Sequence, residues 1–140
     1  MISVVMPVRN AAATLPAALE SLFAQTASDF EIVAVDDGSD DGGATRTVLE
    51  GYAARDARLR VLVRNRGGIV AALNAGIAAT RGRYIARMDA DDVCRPERLA
   101  RQAASLDAHP EIGLVSCLAA FGGDPDKARG YCAHLDWANS

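Results

Sequence analysis

The sequence is poor in residues on which several protein classes depend. Lys127 is the only lysine among 140 residues, which argues against Schiff-base catalysis. The three cysteines are widely spaced without a CxxC pair, which argues against a disulfide framework and a zinc finger. No apolar run approaches the roughly 20 residues of a membrane span, and the start of the chain lacks the basic leader of a signal peptide. These absences predict a cytoplasmic protein and leave open a peripheral position at the inner face of a membrane.

Charge and known motifs exclude further classes. Fifteen basic and eighteen acidic residues give a net charge of −3 and a pI near 5.3, which argues against a nucleic-acid binder. The patterns GxGxxG after a strand, GxxxxGK[ST] and HExxH do not occur, so the sequence lacks the usual motifs of dinucleotide-binding, P-loop and zinc-protease sites. Half of the residues are hydrophobic, so a chain of this length is expected to fold as one globular unit.

Short apolar runs alternate with segments of helical period. The predicted strands are Ile2 to Met6, Phe30 to Val35, Leu59 to Val63, Tyr84 to Met88 and Ile112 to Leu118. The predicted helices are a segment capped by Thr14, residues 44–55, Ile69 to Ile77 and Pro96 to Leu106. Alternating strands and helices predict an α/β fold with a mainly parallel sheet and helices on both faces.

Acidic residues follow two of these strands. Asp89 and Asp91 are two residues apart, so an extended backbone places both carboxylates on one side. Because neighbouring carboxylates repel, such a pair favours a hard cation, Mn²⁺ or Mg²⁺, which leaves coordination positions for phosphates. The alternative is a solvated acidic turn. The second cluster, Asp36 to Asp41, lies at the end of another strand, where parallel sheets bind their ligands.

A third polar segment leads into a predicted helix. Arg64, Asn65, Arg66, Gly67 and Gly68 place two arginines and two glycines before a helix N-terminus, which is a natural anion site. The alternative is an ordinary glycine turn. Within the acidic cluster, Asp40 or Asp41 has a second possible role as the cap of the following helix.

Taken together, these segments resemble a known family. The runs SVVMPVRNAAATLPAALESLFAQT, DFEIVAVDDGSDD, LNAGIAATRGRYIARMDADD and PERLARQ are similar to family 2 inverting glycosyltransferases. The similarity extends over about residues 1–118. It implies the GT-A fold, a Rossmann-like sheet, and transfer of a sugar from a nucleotide-diphospho-sugar, commonly UDP-linked, to an acceptor hydroxyl.

The resemblance also implies roles for individual residues. Asp37 would contact the nucleotide base, and Asp91 with Asp89 would hold the Mn²⁺ or Mg²⁺ that bridges the donor diphosphate. The other expected nucleotide-sugar-binding residues are Pro7, Val8, Arg9, Asn65 and Gly67. The family usually has an aromatic residue, often tyrosine, at the position of Arg9, so stacking on a base or ribose is not expected there.

The resemblance divides the chain into two parts. Residues 1–120 would form the nucleotide-sugar-binding part, and residues 121–140 the start of an acceptor-side part. No residue is assigned as the catalytic base, which is expected beyond Ser140; Asp136 is acidic, but its context does not mark it. The saccharide, lipid or protein acceptor and the oligomeric state stay open.

Other functions fit the pattern less well. A nucleotidyltransferase would also use paired aspartates and a metal, but it normally has a glycine-rich loop where this chain has Pro7 to Asn10. A receiver-type signalling module would need an acidic pair near the first strand. A non-catalytic nucleotide-binding or interaction domain is the remaining alternative, and the presence of Asp37, Asp89 and Asp91 speaks against it.

Overall fold

Within the part of the chain that the structure describes, four strands and four helices alternate. The computed structural model describes residues 1–122 and 139. In chain order the elements are β1 (Ile2–Val8), α1 (Leu15–Phe23), β2 (Phe30–Asp37), α2 (Ala44–Arg55), β3 (Leu59–Arg64), α3 (Ile69–Ala78), β4 (Tyr84–Arg87) and α4 (Arg98–Ala108). The predicted order is confirmed through the fourth helix, including the segment that contains Gly51.

The strands form one parallel sheet in the order β3-β2-β1-β4. The chain therefore moves from β1 outward through β2 to β3 and then returns to the other side of β1. That reversal creates a crevice at the carboxyl ends of the strands, which is where open α/β sheets bind ligands.

Helices cover both faces of the sheet, as predicted. On one face, Val4, Met6 and Ile32 pack in a core with leucines of α1, α2 and α4. On the other face, Val33 and Val35 pack against Ala72 of α3. Successive strand residues point to opposite faces, and β1 and β2 are almost completely buried because most of their residues on both faces are apolar.

Helix α3 lies so close to the sheet that Gly76 has no room for a side chain. A Cβ there would overlap the side chain of Val5 and lie 3.2 Å from Val35 Cγ2. We expect Gly76→Ala to destabilise the fold by roughly 1–3 kcal/mol, because the helix must move away from the sheet. Chemical denaturation measures this loss.

The matched control is Gly51→Ala in α2, where a Cβ meets nothing within 4 Å. This substitution is expected to stabilise the protein by about 0.5–1 kcal/mol, because alanine loses less backbone entropy in a helix. Equal effects of the two substitutions would contradict the proposed overlap at Gly76.

The predicted fifth strand, Ile112 to Leu118, is wrong. Residues 112–118 pair with no strand among the described residues, and Leu114 and Leu118 are 84% and 76% exposed. An extended apolar run becomes a strand only when a neighbour takes up its backbone hydrogen bonds. The chain divides by its contacts into two units, residues 1–104 and 105–140, and this run belongs to the second.

Three boundary details also differ from the sequence prediction. Strands β1 and β2 continue to Val8 and Asp37. The predicted ligand-binding residues Pro7, Val8 and Asp37 therefore lie at the ends of these strands rather than after them. Helix α4 begins at Arg98 rather than Pro96, whose carbonyl oxygen accepts hydrogen bonds from Thr26. Thr14 is at the N-cap of α1, but its hydroxyl makes no capping bond and donates instead to the carbonyl of Ala11.

Candidate functional site

A cleft of about 430 Å³ opens at the carboxyl ends of the strands. Its lining comes from the end of β1 and the loop after it, the last residue of β2, the first turn of α3 and the loop after β4. These residues are Pro7, Val8, Arg9, Asn10, Ala11, Thr14, Asp37, Ile69, Ala72, Asp89, Ala90 and Asp91. Six of the predicted site residues therefore meet in one cleft, whereas Asn65 and Gly67 lie in the β3–α3 connection and do not line it.

Asp37 organises the connection between β3 and α3. Its Oδ1 accepts hydrogen bonds from Arg64 Nη1 at 2.7 Å and from the Gly67 N–H at 2.9 Å, and its Oδ2 accepts one from the Gly68 N–H at 2.7 Å. A side chain at Gly67 would collide with the Arg64 guanidinium, and Gly68 has a φ of +87°. The positive φ of Gly68 lets the backbone turn at this carboxylate, and the absence of a side chain at Gly67 leaves room for the Arg64 guanidinium.

These contacts leave Asp37 one position for a ligand. A carboxylate has about four lone-pair positions, and three are used here, two on Oδ1 and one on Oδ2. The side chain is 6% exposed and borders the cleft. Asp37 is thus a fixed acceptor with one position open, and this structural part of its role was not visible in the sequence.

Asp37 is ionised well into the acidic range. Its burial opposes ionisation, but the Gly67 and Gly68 N–H groups and the Arg64 charge outweigh burial and hold its pKa below the ordinary value. An aspartate with a lowered folded-state pKa stabilises the fold above its unfolded pKa of about 3.9, and this contribution is lost as pH falls through the folded value.

We therefore expect Asp37→Asn to unfold more easily than the wild type at neutral pH, because the amide cannot accept all three bonds. The difference in unfolding free energy should shrink below about pH 4, as the wild-type carboxylate takes up its proton. Denaturant titrations from pH 7 to pH 3 measure it. A difference that does not vary with pH would contradict this account.

The loops after β1 and β2 are bound to each other at the rim of the cleft. Asn10 adopts a left-handed backbone with φ 50°, and its side chain exchanges hydrogen bonds with Asp40, donating to the carboxylate and accepting from the backbone N–H. Arg9 Nη2 lies 3.2 Å from Asp40 Oδ2. The Asn10 hydrogen bond and the Arg9 charge lower the pKa of Asp40. Arg9, where the family usually has an aromatic residue, is thus held by a carboxylate.

Asp40 and Asp41 therefore have different roles. Asp41 Oδ2 accepts hydrogen bonds from the N–H and the hydroxyl of Thr45 in the first turn of α2. The N-cap residue of α2 is Gly43, so neither of the two predicted candidates occupies that position; Asp41 bonds to the first turn of the helix, and Asp40 joins the two loops.

The acidic segment after β4 places two carboxylates in the cleft, one of which is hydrogen-bonded to an arginine. Both oxygens of Asp89 accept hydrogen bonds from Arg87. Asp91 makes no hydrogen bond or ion pair with any described residue. Burial, together with the charges of Asp89 and Asp91, raises the pKa of Asp92. Sequence reasoning missed Arg87, although the two-residue spacing that relates Asp89 to Asp91 also relates Arg87 to Asp89.

This donor set suits a hard cation that is shared with a ligand. Within the part of the chain that the structure describes, no three His, Cys, Asp or Glu side chains are placed to hold a metal ion. Two carboxylates provide hard oxygen ligands but leave most of the coordination to other groups. Mg²⁺ and Mn²⁺ are commonly bound in this way, by one or two carboxylates and the phosphates of a substrate.

Gln25 holds the segment that follows the acidic residues. Its Nε2 donates to Cys94 Sγ at 3.2 Å and to the Arg95 carbonyl at 2.8 Å, and its Oε1 accepts from the Leu99 N–H at 2.9 Å. Cys94 is a free, half-buried thiol that packs against the main core. Lys127, Cys132, His134 and Asp136 lie outside the described residues.

No helix in residues 1–122 is both long and apolar enough to cross a membrane.

Comparison with known proteins gives a family and a fold. The model of Glycosyl transferase family 2 matches residues 3–136. EpsJ of Bacillus subtilis, an uncharacterized glycosyltransferase, is 35% identical over 117 residues, which cover 84% of this chain and 33% of EpsJ. ExoO of Rhizobium meliloti, a succinoglycan biosynthesis protein, is 43% identical over 107 residues, which cover 76% of this chain and 30% of ExoO.

Solved structures agree with this assignment. S. aureus TarS 1-349 in complex with UDP-GlcNAc has a TM-score of 0.70 at 31% identity and covers 78% of this chain and 32% of that protein. The mannosyltransferase PcManGT from Pyrobaculum calidifontis, in complex with GDP-Man and Mn²⁺, has a TM-score of 0.76 at 27% identity and covers 85% and 35%.

The chain thus spans about a third of the length of these relatives. Its parallel sheet, the cleft at the strand ends and a family match across residues 3–136 lead to the same assignment. The family resemblance and the fold expected from the sequence are confirmed, and the chain belongs to glycosyl transferase family 2 with a GT-A fold.

Proposed function

We propose that this chain binds the donor in a glycosyl transfer reaction, a nucleotide-diphospho-sugar that is most favourably UDP-linked. The whole protein would move the sugar to an acceptor hydroxyl. The observation that carries the proposal is the meeting of Asp37 with Asp89 and Asp91 in one cleft of a family 2 chain. TarS and PcManGT, which share this fold, were solved with UDP-GlcNAc and with GDP-Man and Mn²⁺.

In this proposal Asp37 recognises the base. Asp37 lines the cleft, one lone-pair position on its Oδ2 is not used by the described residues, and the bonds from Arg64, Gly67 and Gly68 hold the carboxylate in place. A pyrimidine base with a ring N–H, such as uracil, presents one donor to one acceptor. The carboxylate stays charged at neutral pH, and a charged acceptor strengthens that hydrogen bond. Pro7, Val8 and Arg9 line the same cleft.

The diphosphate would lie near Asp89 and Asp91. Two carboxylates repel a diphosphate unless a cation lies between them, so we propose that Asp91, with Asp89, holds Mn²⁺ or Mg²⁺ together with the phosphate oxygens. When bound, the cation supplies Lewis-acid stabilisation of the negative charge that develops on the leaving diphosphate. Asn65 and Gly67 act indirectly, by forming the loop around Asp37.

We assign donor binding and acceptor activation to different parts of the protein because of the length of the relatives. This chain covers about a third of them, so we assign donor binding to this chain and acceptor activation to the whole protein. Inverting transfer needs a general base that deprotonates the acceptor hydroxyl on the face opposite the leaving group. Cytoplasmic location and the part boundary after residue 120 stay predictions.

The experiment is a donor panel. Isothermal calorimetry with UDP-GlcNAc, GDP-Man and a dTDP-sugar, each with Mn²⁺, measures affinity, and the whole natural protein is then assayed for release of the nucleoside diphosphate. We expect binding, with preference for the UDP-linked sugar. Absence of binding for all three donors would contradict the proposed function. Binding of nucleoside triphosphates with release of pyrophosphate would instead indicate a nucleotidyltransferase.

A further inference from the structure

Asp89 is held by an arginine of its own strand. Arg87 Nε lies 3.0 Å from Asp89 Oδ1 and Arg87 Nη2 lies 2.9 Å from Oδ2. This is a bidentate arrangement, the strongest geometry for an arginine and a carboxylate. One of the two carboxylates proposed for metal binding is therefore already neutralised by a protein cation.

The Arg87 backbone is fixed, but its side chain is not enclosed. Arg87 ends β4 and its carbonyl oxygen accepts a hydrogen bond from Arg98 Nη2 at 2.8 Å. Its side chain is 56% exposed and that of Asp89 is 37% exposed. The guanidinium can thus leave Asp89 without disturbing the sheet. Arg87 itself does not line the cleft, but Asp89, to which it is hydrogen-bonded, does.

We infer that Arg87 makes metal binding depend on the nucleotide. Without a nucleotide, Arg87 competes with the divalent cation for Asp89 and weakens metal binding. When a nucleoside diphosphate enters, its anionic oxygens attract the guanidinium, Arg87 transfers to the diphosphate, and Asp89 becomes available. This inference rests on the proposed donor site and adds a residue that controls the order of binding.

Physical chemistry favours this exchange. A cation and a guanidinium that share one carboxylate repel each other, so each lowers the affinity of the other. A guanidinium binds phosphate oxygens with the same two-pronged geometry that it uses for a carboxylate. The exchange therefore replaces one bidentate pair with another, and it frees a hard oxygen ligand for the metal.

The test compares Arg87→Met with Arg46→Met. Arg46 is also about half exposed, at 52%, and is also paired with a carboxylate, Glu50, but on α2. Each substitution removes one positive charge and one pair. Mn²⁺ binding without nucleotide is followed by the electron paramagnetic resonance signal of free Mn²⁺, and UDP binding at saturating Mn²⁺ by calorimetry.

We expect Arg87→Met to bind Mn²⁺ alone about three- to tenfold more tightly than the wild type, and to bind UDP about three- to tenfold more weakly. Arg46→Met should change neither affinity. Arg87→Lys, which keeps the charge but not the two-pronged geometry, should lie between the wild type and Arg87→Met, and it replaces Arg87→Met if circular dichroism shows that the latter is unfolded.

Unchanged Mn²⁺ affinity in Arg87→Met, or an equal gain in Arg46→Met, would overturn the competition. Tighter Mn²⁺ binding without weaker UDP binding would overturn the transfer to the diphosphate. If the wild type binds no UDP at all, the proposed function fails, whereas the Mn²⁺ measurement without nucleotide still decides whether Arg87 and the cation compete.

Discussion

Asp91→Asn is expected to remove the dependence of UDP binding on a divalent cation. In the wild type, Mn²⁺ or Mg²⁺ should raise the affinity for UDP by at least about tenfold. Removing a hydrogen-bond partner of a metal ligand commonly lowers metal affinity or activity roughly 10–100-fold, and removing the cation itself should cost no less. Asp91 is the cleft carboxylate without a protein partner among the described residues, so it is the ligand most available to the cation. Calorimetry of UDP binding with Mn²⁺ and with EDTA measures this dependence.

Asp29→Asn is the control for the lost charge. Asp29 is 76% exposed and pairs with the N-terminal amino group just before β2, away from the cleft. It should keep the full response to Mn²⁺. Equal UDP binding with Mn²⁺ and with EDTA in the wild type would refute the metal assignment for Asp91 and Asp89.

Asp37→Ala is expected to weaken nucleoside binding whether or not a cation is present. Removing the carboxylate leaves the Gly67 and Gly68 N–H groups and the base donor without their acceptor, so both the loop and the ligand lose a partner. We expect a roughly five- to hundredfold loss of affinity, because buried N–H donors are left without an acceptor. Comparing UMP with UDP separates the roles, because UMP lacks the diphosphate that would share the cation.

Asp37→Ala should therefore affect UMP and UDP alike, whereas Asp91→Asn should affect UDP far more than UMP. Asp29→Asn, which lies away from the cleft, is again the control and should change the affinity for neither nucleotide. If Asp37→Ala and Asp91→Asn had the same effect on both nucleotides, the two clusters would not have separate roles.

The chain order of the fold was predictable from local patterns. Continuous apolar runs of β1 and β2 and the helical spacing in α1 and α3 are properties of neighbouring residues, and they led to a parallel sheet with helices on both faces. The rule that ligands bind at the carboxyl ends of parallel strands then brought Asp37, Asp89 and Asp91 to one edge. The structure agrees, with all three residues at one cleft.

Contacts between residues far apart in the sequence decided which segments pair as strands and which side chains hold the loops. Residues 112–118 have strand-like composition, but no described residue pairs with them, and pairing is a property of two segments rather than one. The bonds from Asp37 to Gly67 and Gly68 span 30 and 31 positions, and those from Gln25 to Arg95 and Leu99 span 70 and 74. No local pattern encodes such distances.

The sequence by itself determined the family, the order of elements and the chemical character of the cleft, because residue type and spacing carry that information. Only the tertiary structure decided how each carboxylate is used. Asp37 is held by a loop, Asp40 joins two loops, and Asp41 accepts hydrogen bonds from Thr45 in the first turn of α2. Asp89 is neutralised by Arg87, and Asp91 faces the cleft unengaged. Five aspartates with similar intrinsic chemistry differ because the partners that fold around each one differ, and these partners decide which carboxylate oxygens are left available to a ligand.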